Sequence, residues 1–431
     1  MHLSWPIIMG QLSYVIMGLA DNLMVGKLGA KHIAAVGICN SIFFTITIIG
    51  IGVFTVVSPL VAQYNSKNHK RQCGDLLKNS IFIAIWLGLV LTVVMIWLAG
   101  NFYWFKQSDE VTELSVEFLT ILAFSTVPMY VFIGAKQISD GLSHTRAGMV
   151  ISLLAVGVNV LLNYILIYGN WGAPALGVNG AGYATLIARI LMAIGLLVYI
   201  RYDAVFKEFL PEDWSIRNMK VQWEILKHGL PSGFQYVFEV AAFSGAAVMM
   251  GWLSTEALAA HQIAISLASL TYMFATGISA AAGITVGDAV GKKHYKSVFA
   301  FGRASLILGI GFEIIFCLVF LVSYKWLPSL YTSDPIVLKI AANLMIIAAL
   351  FQISDGVQCI SLGALRGMLD VKIPTIITLG AYWVIALPAG YLFAFVLNWG
   401  ADGIWAALLL GLMFSSILLC LRFFNHAKSH L

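Results

Sequence analysis

The chain has 431 residues, of which 60% are hydrophobic and only 10% charged, where a soluble domain carries about 25% charged residues. That balance excludes a soluble globular protein. The net charge of +5 suggests nucleic acid only until its placement in short segments between apolar runs is noted.

Apolar windows of about 20 residues, each able to cross a hydrocarbon core of about 30 Å, recur along the whole length. They predict twelve transmembrane helices, at 4–26, 33–60, 79–99, 114–136, 148–169, 180–201, 229–252, 259–286, 299–324, 338–365, 373–397 and 402–424. The opening MHLSWPIIMG has no positively charged n-region, so no cleavable signal peptide is expected and the first span stays. The longest connection, from Arg201 to Gly229, is charged, contains Pro211 and lies near the midpoint. It predicts an N-lobe over 1–201 with spans one to six, a cytoplasmic interlobe linker over 202–228, and a C-lobe over 229–431 with spans seven to twelve. Five scattered cysteines show no CxxC or metal-ligand spacing and read as apolar filler.

Odd-numbered connections hold five Lys or Arg (Lys27, Lys31, Lys106, Lys325 and Lys339), whereas the even ones and the C-terminal tail hold nineteen of the 25. By the positive-inside rule both termini and the even loops are cytoplasmic. The segment from Trp5 to Ser41 aligns without a gap with Leu230 to Ser266: Pro6 meets Pro231, Gly26 meets Gly251, and Ala34 and Ala35 meet Ala259 and Ala260. Six spans per copy is an even number, so the copies enter the membrane from the same side as parallel repeats. Such symmetry is common in secondary transporters.

Acidic residues at bilayer depth are costly and mark functional sites by default. Asp21 lies in MGLADNLMVG near the outer end of span one, Glu239 mid-span in seven, and Asp355 in FQISDGVQC near the middle of ten. The acids do not follow the repeat, since Asp21 aligns with Ala246 and Glu239 with Tyr14. Asn159 and Asn163, four apart, share one face of span five, and Thr185 gives span six a hydroxyl. With Asp21 they make either an oxygen-rich pocket or interhelical hydrogen bonding. Gln235 precedes Glu239 by one turn and shares its face; Gln262 begins span eight, where capping, facing water and lining a cavity are all open. Arg189 and Glu313 also lie at membrane depth, with no role assigned. No H-E-x-x-H, G-x-S-x-G, Walker or dinucleotide sequence sits in a usable context, so no enzyme or ATP-driven pump is expected.

The segments MGLADNLMVGKLGAKHIAAVGI, GLPSGFQYVFEVAAFSG with LSTEALAAHQIAIS, FQISDGVQCISLGALRGMLDVKIP, and the pair LNYILIYG and GVNGAGYAT together resemble the multidrug and toxic compound extrusion (MATE) family, most closely its bacterial NorM-like branch. The resemblance covers essentially the full chain. It implies an all-α polytopic membrane protein whose two six-helix repeats form a V-shaped pair of lobes. It also implies antiport in a bacterial cytoplasmic (inner) membrane: cationic or amphipathic organic compounds leave as Na+ or H+ enters. By position, Asp21, Asn159, Asn163 and Thr185 match the family's N-lobe cation site, where Na+ is a candidate, and Glu239 with Asp355 matches the C-lobe acidic pair. Gln235 and Gln262 are candidate lining residues of the substrate cavity. No cofactor beyond the coupling ion and no nucleic acid is expected, and a monomer in the lipid bilayer is. Arg189, one turn beyond Thr185, is less typical of the family and would neutralise Asp21 if it pointed inward.

Two alternatives share the architecture or the membrane. A lipid-linked oligosaccharide flippase of the same superfamily needs a cluster of buried basic residues, and an intramembrane enzyme needs a nucleophile or metal cluster beside the acids. The sequence offers neither pattern.

Overall fold

A computed structural model describes residues 3–210, 214 and 218–429. Pro211 therefore lies outside the described residues, as do the first two and last two residues of the chain.

Among the described residues, twelve helices are long and apolar enough to cross a membrane: α1 (Ser4–Gly26), α2 (Lys31–Ser66), α3 (Lys70–Gly100), α4 (Asp109–Gly141), α5 (Thr145–Tyr168), α6 (Val178–Tyr202), α7 (Met219–Leu253), α8 (Thr255–Gly291), α9 (Tyr295–Ser323), α10 (Pro335–Gly367), α11 (Lys372–Val396) and α12 (Gly400–Lys428). No strand occurs among the described residues. All twelve predicted spans are present, and several helices run well past their apolar windows. Within a helix the backbone satisfies itself, so a helix can leave hydrocarbon for water without a break. Lys136 and Arg366, which the sequence pattern places with the even connections, for that reason lie inside α4 and α10, and both are buried. α7 likewise starts ten residues before the predicted span, within the segment read as linker.

Prolines explain most irregularities. α2 breaks between Phe54 and Val57 because Pro59 has no N–H for the carbonyl of Thr55. α4 breaks at Ser125, three residues before Pro128. Around Pro388, α11 widens into π-helical segments at Gly380–Ala386 and Leu392–Val396, a local form that recurs at functional sites.

The chain resolves into two compact units, Met1–Gly233 and Phe234–Leu431. The division falls inside α7 because its first half packs on α2: a Cβ on Gly229 would lie 2.7 Å from the carbonyl oxygen of Val53, and one on Gly233 2.6 Å from that of Ile49. Two glycines four apart give one helix face close backbone contact.

The repeat is visible in the backbone of each unit. Asn68 (φ 60°) and Lys293 (φ 56°) take the left-handed conformation that ends α2 and α8, and Ser143 (φ 68°) and Leu369 (φ 57°) do so after α4 and α10. Each turn closes with the same backbone bond: His69 N–H to Tyr64 O (3.0 Å), His294 to Ala289 (2.9 Å), His144 to Ser139 (2.9 Å) and Asp370 to Leu365 (3.0 Å). This is the Schellman closure, which ordinarily uses glycine. The packing repeats as well. A Cβ on Gly141 would lie 2.6 Å from the carbonyl oxygen of Ser58, and one on Gly367 2.8 Å from that of Gly283.

Burial follows the bilayer rather than water. The second unit is centred on Trp405, Tyr382 and Phe351, the first holds Phe54, Phe118 and Tyr130, and large apolar side chains such as Leu23, Val93, Leu154 and Val322 are exposed. Apolar exposure on this scale marks a surface solvated by something other than water.

Candidate cation-exchange sites

In the first unit, three helices bring the predicted residues together. Asp21 on α1 is 7% exposed; Asn159 and Asn163 on α5 and Thr185 on α6 are buried around it. Asn163 Nδ2 donates to Asp21 Oδ1 at 2.6 Å and to Asn159 Oδ1 at 3.2 Å. Thr185 Oγ1 donates to Asp21 Oδ2 at 2.9 Å, and Asn159 Nδ2 donates to Thr185 Oγ1 at 3.3 Å. Both carboxylate oxygens thus accept neutral donors, while Asn163 Oδ1 is buried without a hydrogen-bond partner among the described residues. In this arrangement a proton can be taken by Asp21 with little rearrangement. A sodium ion, which favours hard oxygen ligands, requires the amides of Asn159 and Asn163 to turn so that their oxygens face Asp21.

Arg189 does not pair with Asp21 among the described residues. Its Nη1 donates to Ser125 Oγ at 2.6 Å and its guanidinium lies 4.6 Å from the centre of the Phe43 ring. Ser125 stands at the break in α4, and its own hydroxyl donates to the carbonyl of Leu122 at 2.6 Å.

The second unit holds a different constellation. Glu239 on α7 is 7% exposed, and its Oε1 accepts from Tyr382 OH at 3.2 Å and from Gln358 Nε2 at 3.3 Å. Gln358 also donates to Tyr382 OH at 2.9 Å. Tyr382 stands in the first π-helical segment of α11, which Trp383 ties to α7 by donating to the carbonyl of Phe238 at 3.1 Å. Asp355, also 7% exposed, makes no hydrogen bond among the described residues, and the charges of Glu239 and Glu313 both act on it. The two C-lobe acids are therefore in one electrostatic neighbourhood, with Glu239 fixed and Asp355 free of hydrogen bonds.

Gln235 is buried but engaged elsewhere than at Glu239: its Oε1 accepts from Arg366 Nη2 at 3.3 Å, and Arg366 Nη1 also donates to Tyr236 OH at 3.3 Å. Gln262 is exposed. Its neighbour His261 is buried instead, with Nδ1 accepting from Trp405 Nε1 at 3.1 Å. Indole nitrogen only donates, so that ring nitrogen carries no proton.

Sequence reasoning missed Gln358, Tyr382, Arg366 and the buried pair Lys136–Asp140, joined at 2.6 Å within α4. Gln358 was detectable, being three residues after Asp355 and so on its helix face. Lys136 and Asp140 have i,i+4 spacing, which becomes a signal once the helix is known to extend through them. Tyr382 carries no local signal in a chain so rich in aromatics.

Residues 6–165 and 231–392 match the MatE family model. The chain is similar to the probable multidrug resistance protein NorM of Bacillus anthracis, 33% identical over 430 residues covering 99% of this chain and 95% of the relative. It is 31% identical to that of Neisseria meningitidis serogroup B over 425 residues, covering 97% and 91%. Among solved structures, the eukaryotic MATE transporter AtDTX14 superposes with a TM-score of 0.91 at 18% identity, over 100% of this chain and 96% of that one. At such identity the likeness shows the fold.

Proposed function

The chain belongs to the MatE family, and from that premise we propose that it is a secondary active multidrug exporter. It exchanges inward Na+ or H+ for outward cationic or amphipathic organic compounds, as a monomer in the bacterial cytoplasmic membrane with both termini cytoplasmic. In this reading the functional lobes are 1–201 and 229–431, joined by the cytoplasmic segment 202–228.

The observation that carries the proposal is that Asp21 and Glu239 are buried carboxyls held by neutral donors rather than by Lys or Arg. A carboxylate locked in an ion pair has no charge to exchange. One held by Asn, Thr, Gln and Tyr stays available: deprotonated, it attracts a cation, and once protonated or Na+-occupied it holds no second one. Competition between coupling ion and substrate for one carboxyl is sufficient for antiport. Burial of the acids in a water-poor setting strengthens that competition, because opposite charges attract more strongly at low dielectric. That the bacterial relatives are probable multidrug resistance proteins supports export of drugs as the task.

The test is efflux of a fluorescent organic cation from proteoliposomes with a Na+ gradient or a pH gradient imposed separately. Either gradient driving efflux supports the reading. Efflux that ignores both, or that needs ATP, overturns it.

A further inference from the structure

Glu313 is a third acid of the second unit that the proposed function does not use. It is 2% exposed. The buried face of α9 runs Val298, Gly302, Leu306, Gly309, Glu313, Cys317 and Phe320, spacings of three and four that trace one apolar stripe. Glu313 stands where another leucine would complete it. No Lys, Arg or His pairs with it among the described residues, and its Oε2 is buried without a hydrogen-bond partner.

The packing directs the carboxyl to one place. Gly356 on α10 leaves a gap that Glu313 fills: a Cβ there would lie 3.0 Å from Glu313 Cδ and 3.1 Å from Oε1. Gly309 on α9 answers with a gap filled by Ile360 of α10. These reciprocal contacts hold the Glu313 carboxyl against the backbone immediately after Asp355, the acid that makes no hydrogen bond of its own.

We infer that Glu313 and Asp355 form a coupled pair of titrating acids beside the Glu239–Gln358–Tyr382 cluster, in which the charge on one carboxyl governs whether the other holds its proton. Two like-charged carboxylates in one buried site do not both ionise readily. Loss of the proton from Asp355 therefore makes loss of the proton from Glu313 harder, and the reverse. The groups around Asp355 are consistent with this. α10 itself adds Cys359, α8 adds Tyr272, α7 adds Glu239 and α11 adds Tyr382, and the buried cation beside these groups, Arg366 of α10, is engaged by Gln235 and Tyr236. On α12, Arg422 and His426 are engaged by Asp370 and Asp402 by Asn343.

The inference rests on reading Asp355 as part of the exchange machinery, but its test needs no transport. Infrared pH-difference spectra of the reconstituted full chain report the C=O stretch of protonated carboxyls. The expected result is that Glu313→Gln removes one titrating band and moves the midpoint of the band that Asp355→Asn removes by about one pH unit, the size of coupling that makes two groups titrate as a pair. Gly356→Ala removes no acid but displaces the Glu313 carboxyl, and it must move the same midpoint. Should Glu313→Gln fail to insert, Glu313→Asp withdraws the acid by one methylene and carries the same expectation. An Asp355 midpoint that none of these variants moves overturns the pair, whatever efflux measurements say of antiport.

Discussion

Asn163 reaches from α5 to Asp21 on α1 and donates to its Oδ1 at 2.6 Å, while Thr185 of α6 holds the other carboxylate oxygen. The bond has a direction that matters. As an NH₂ donor, Asn163 stabilises a bare carboxylate; to help bind Na+ it must present its oxygen instead. Asn163→Ala removes both possibilities and leaves Asp21 Oδ1 buried and unpaired, at a cost of about 1–3 kcal/mol. Efflux driven by a Na+ gradient is expected to fall about tenfold or more, as about 1.4 kcal/mol of lost binding implies, with H+-driven efflux less affected. Equal losses under both gradients would show that Asn163 only positions Asp21.

How much of this was legible in the sequence differs by level. The spans were, because about 20 consecutive apolar residues have few other uses. Their ends were not: the start of α7 at Met219 lies in the polar segment before Gly229, where hydropathy is silent and backbone hydrogen bonding decides. Asp21, Asn159, Asn163 and Thr185 were legible as a group because an i,i+4 pair shares a helix face and the resemblance supplied the rest. Of the two partners of Glu239, Tyr382 was not, since it reaches the carboxyl from a π-helical stretch whose register no 3.6-residue periodicity describes. Gln235 shows the opposite error. Its spacing from Glu239 suggests a shared role, yet Arg366 arrives from α10 to claim it.

Tyr382 and Glu239 offer a second test. Glu239→Gln keeps the shape and a hydrogen-bond acceptor but removes the exchangeable charge, so gradient-driven efflux should be lost while membrane insertion is retained. Tyr382→Phe removes one donor to Oε1 and leaves Gln358 in place. The same change removes the bond that Gln358 donates to the Tyr382 hydroxyl, so its effect on thermal stability should be about 1–3 kcal/mol, that of two hydrogen bonds, and the pH at which efflux is half-maximal should move. Both variants extruding dye at the normal rate with an unchanged pH profile would make this cluster structural.

The repeat makes a stability prediction that involves no acid. Gly141 and Gly367 occupy corresponding crossings, each with a neighbouring carbonyl oxygen where a methyl group would go. Gly141→Ala and Gly367→Ala should each destabilise the protein by about 1–3 kcal/mol, the usual cost of forcing volume into a packed core. Gly157 on α5 is the control, because a methyl group added there would meet nothing within 4 Å, and Gly157→Ala should be neutral or slightly stabilising. Thermal unfolding in detergent measures all three. Equal midpoints across the set would mean that these crossings have room that the backbone geometry denies.

Lys136 and Asp140 carry the last prediction. Both are more than nine-tenths buried, joined at 2.6 Å, and the lysine stem lies against Gly10 of α1 and Gly148 of α5, where Cβ atoms would come within 3.4 Å and 3.1 Å of it. Asp140 Oδ1 has no hydrogen-bond partner among the described residues, so Lys136 is the main compensation for a charge buried between helices. Lys136→Met fills the same channel without the ammonium and should cost about 3–5 kcal/mol, because it strands Asp140. Replacing both residues, as Lys136→Met with Asp140→Leu, removes the stranded charge and should recover most of that loss, since two apolar side chains of similar volume often replace a buried pair at little cost. The comparison separates the cost of breaking the pair from the worth of having it. A double variant as unstable as Lys136→Met alone would show that Asp140 is held by something other than its lysine, and that the α4 pair is not the unit on which stability depends.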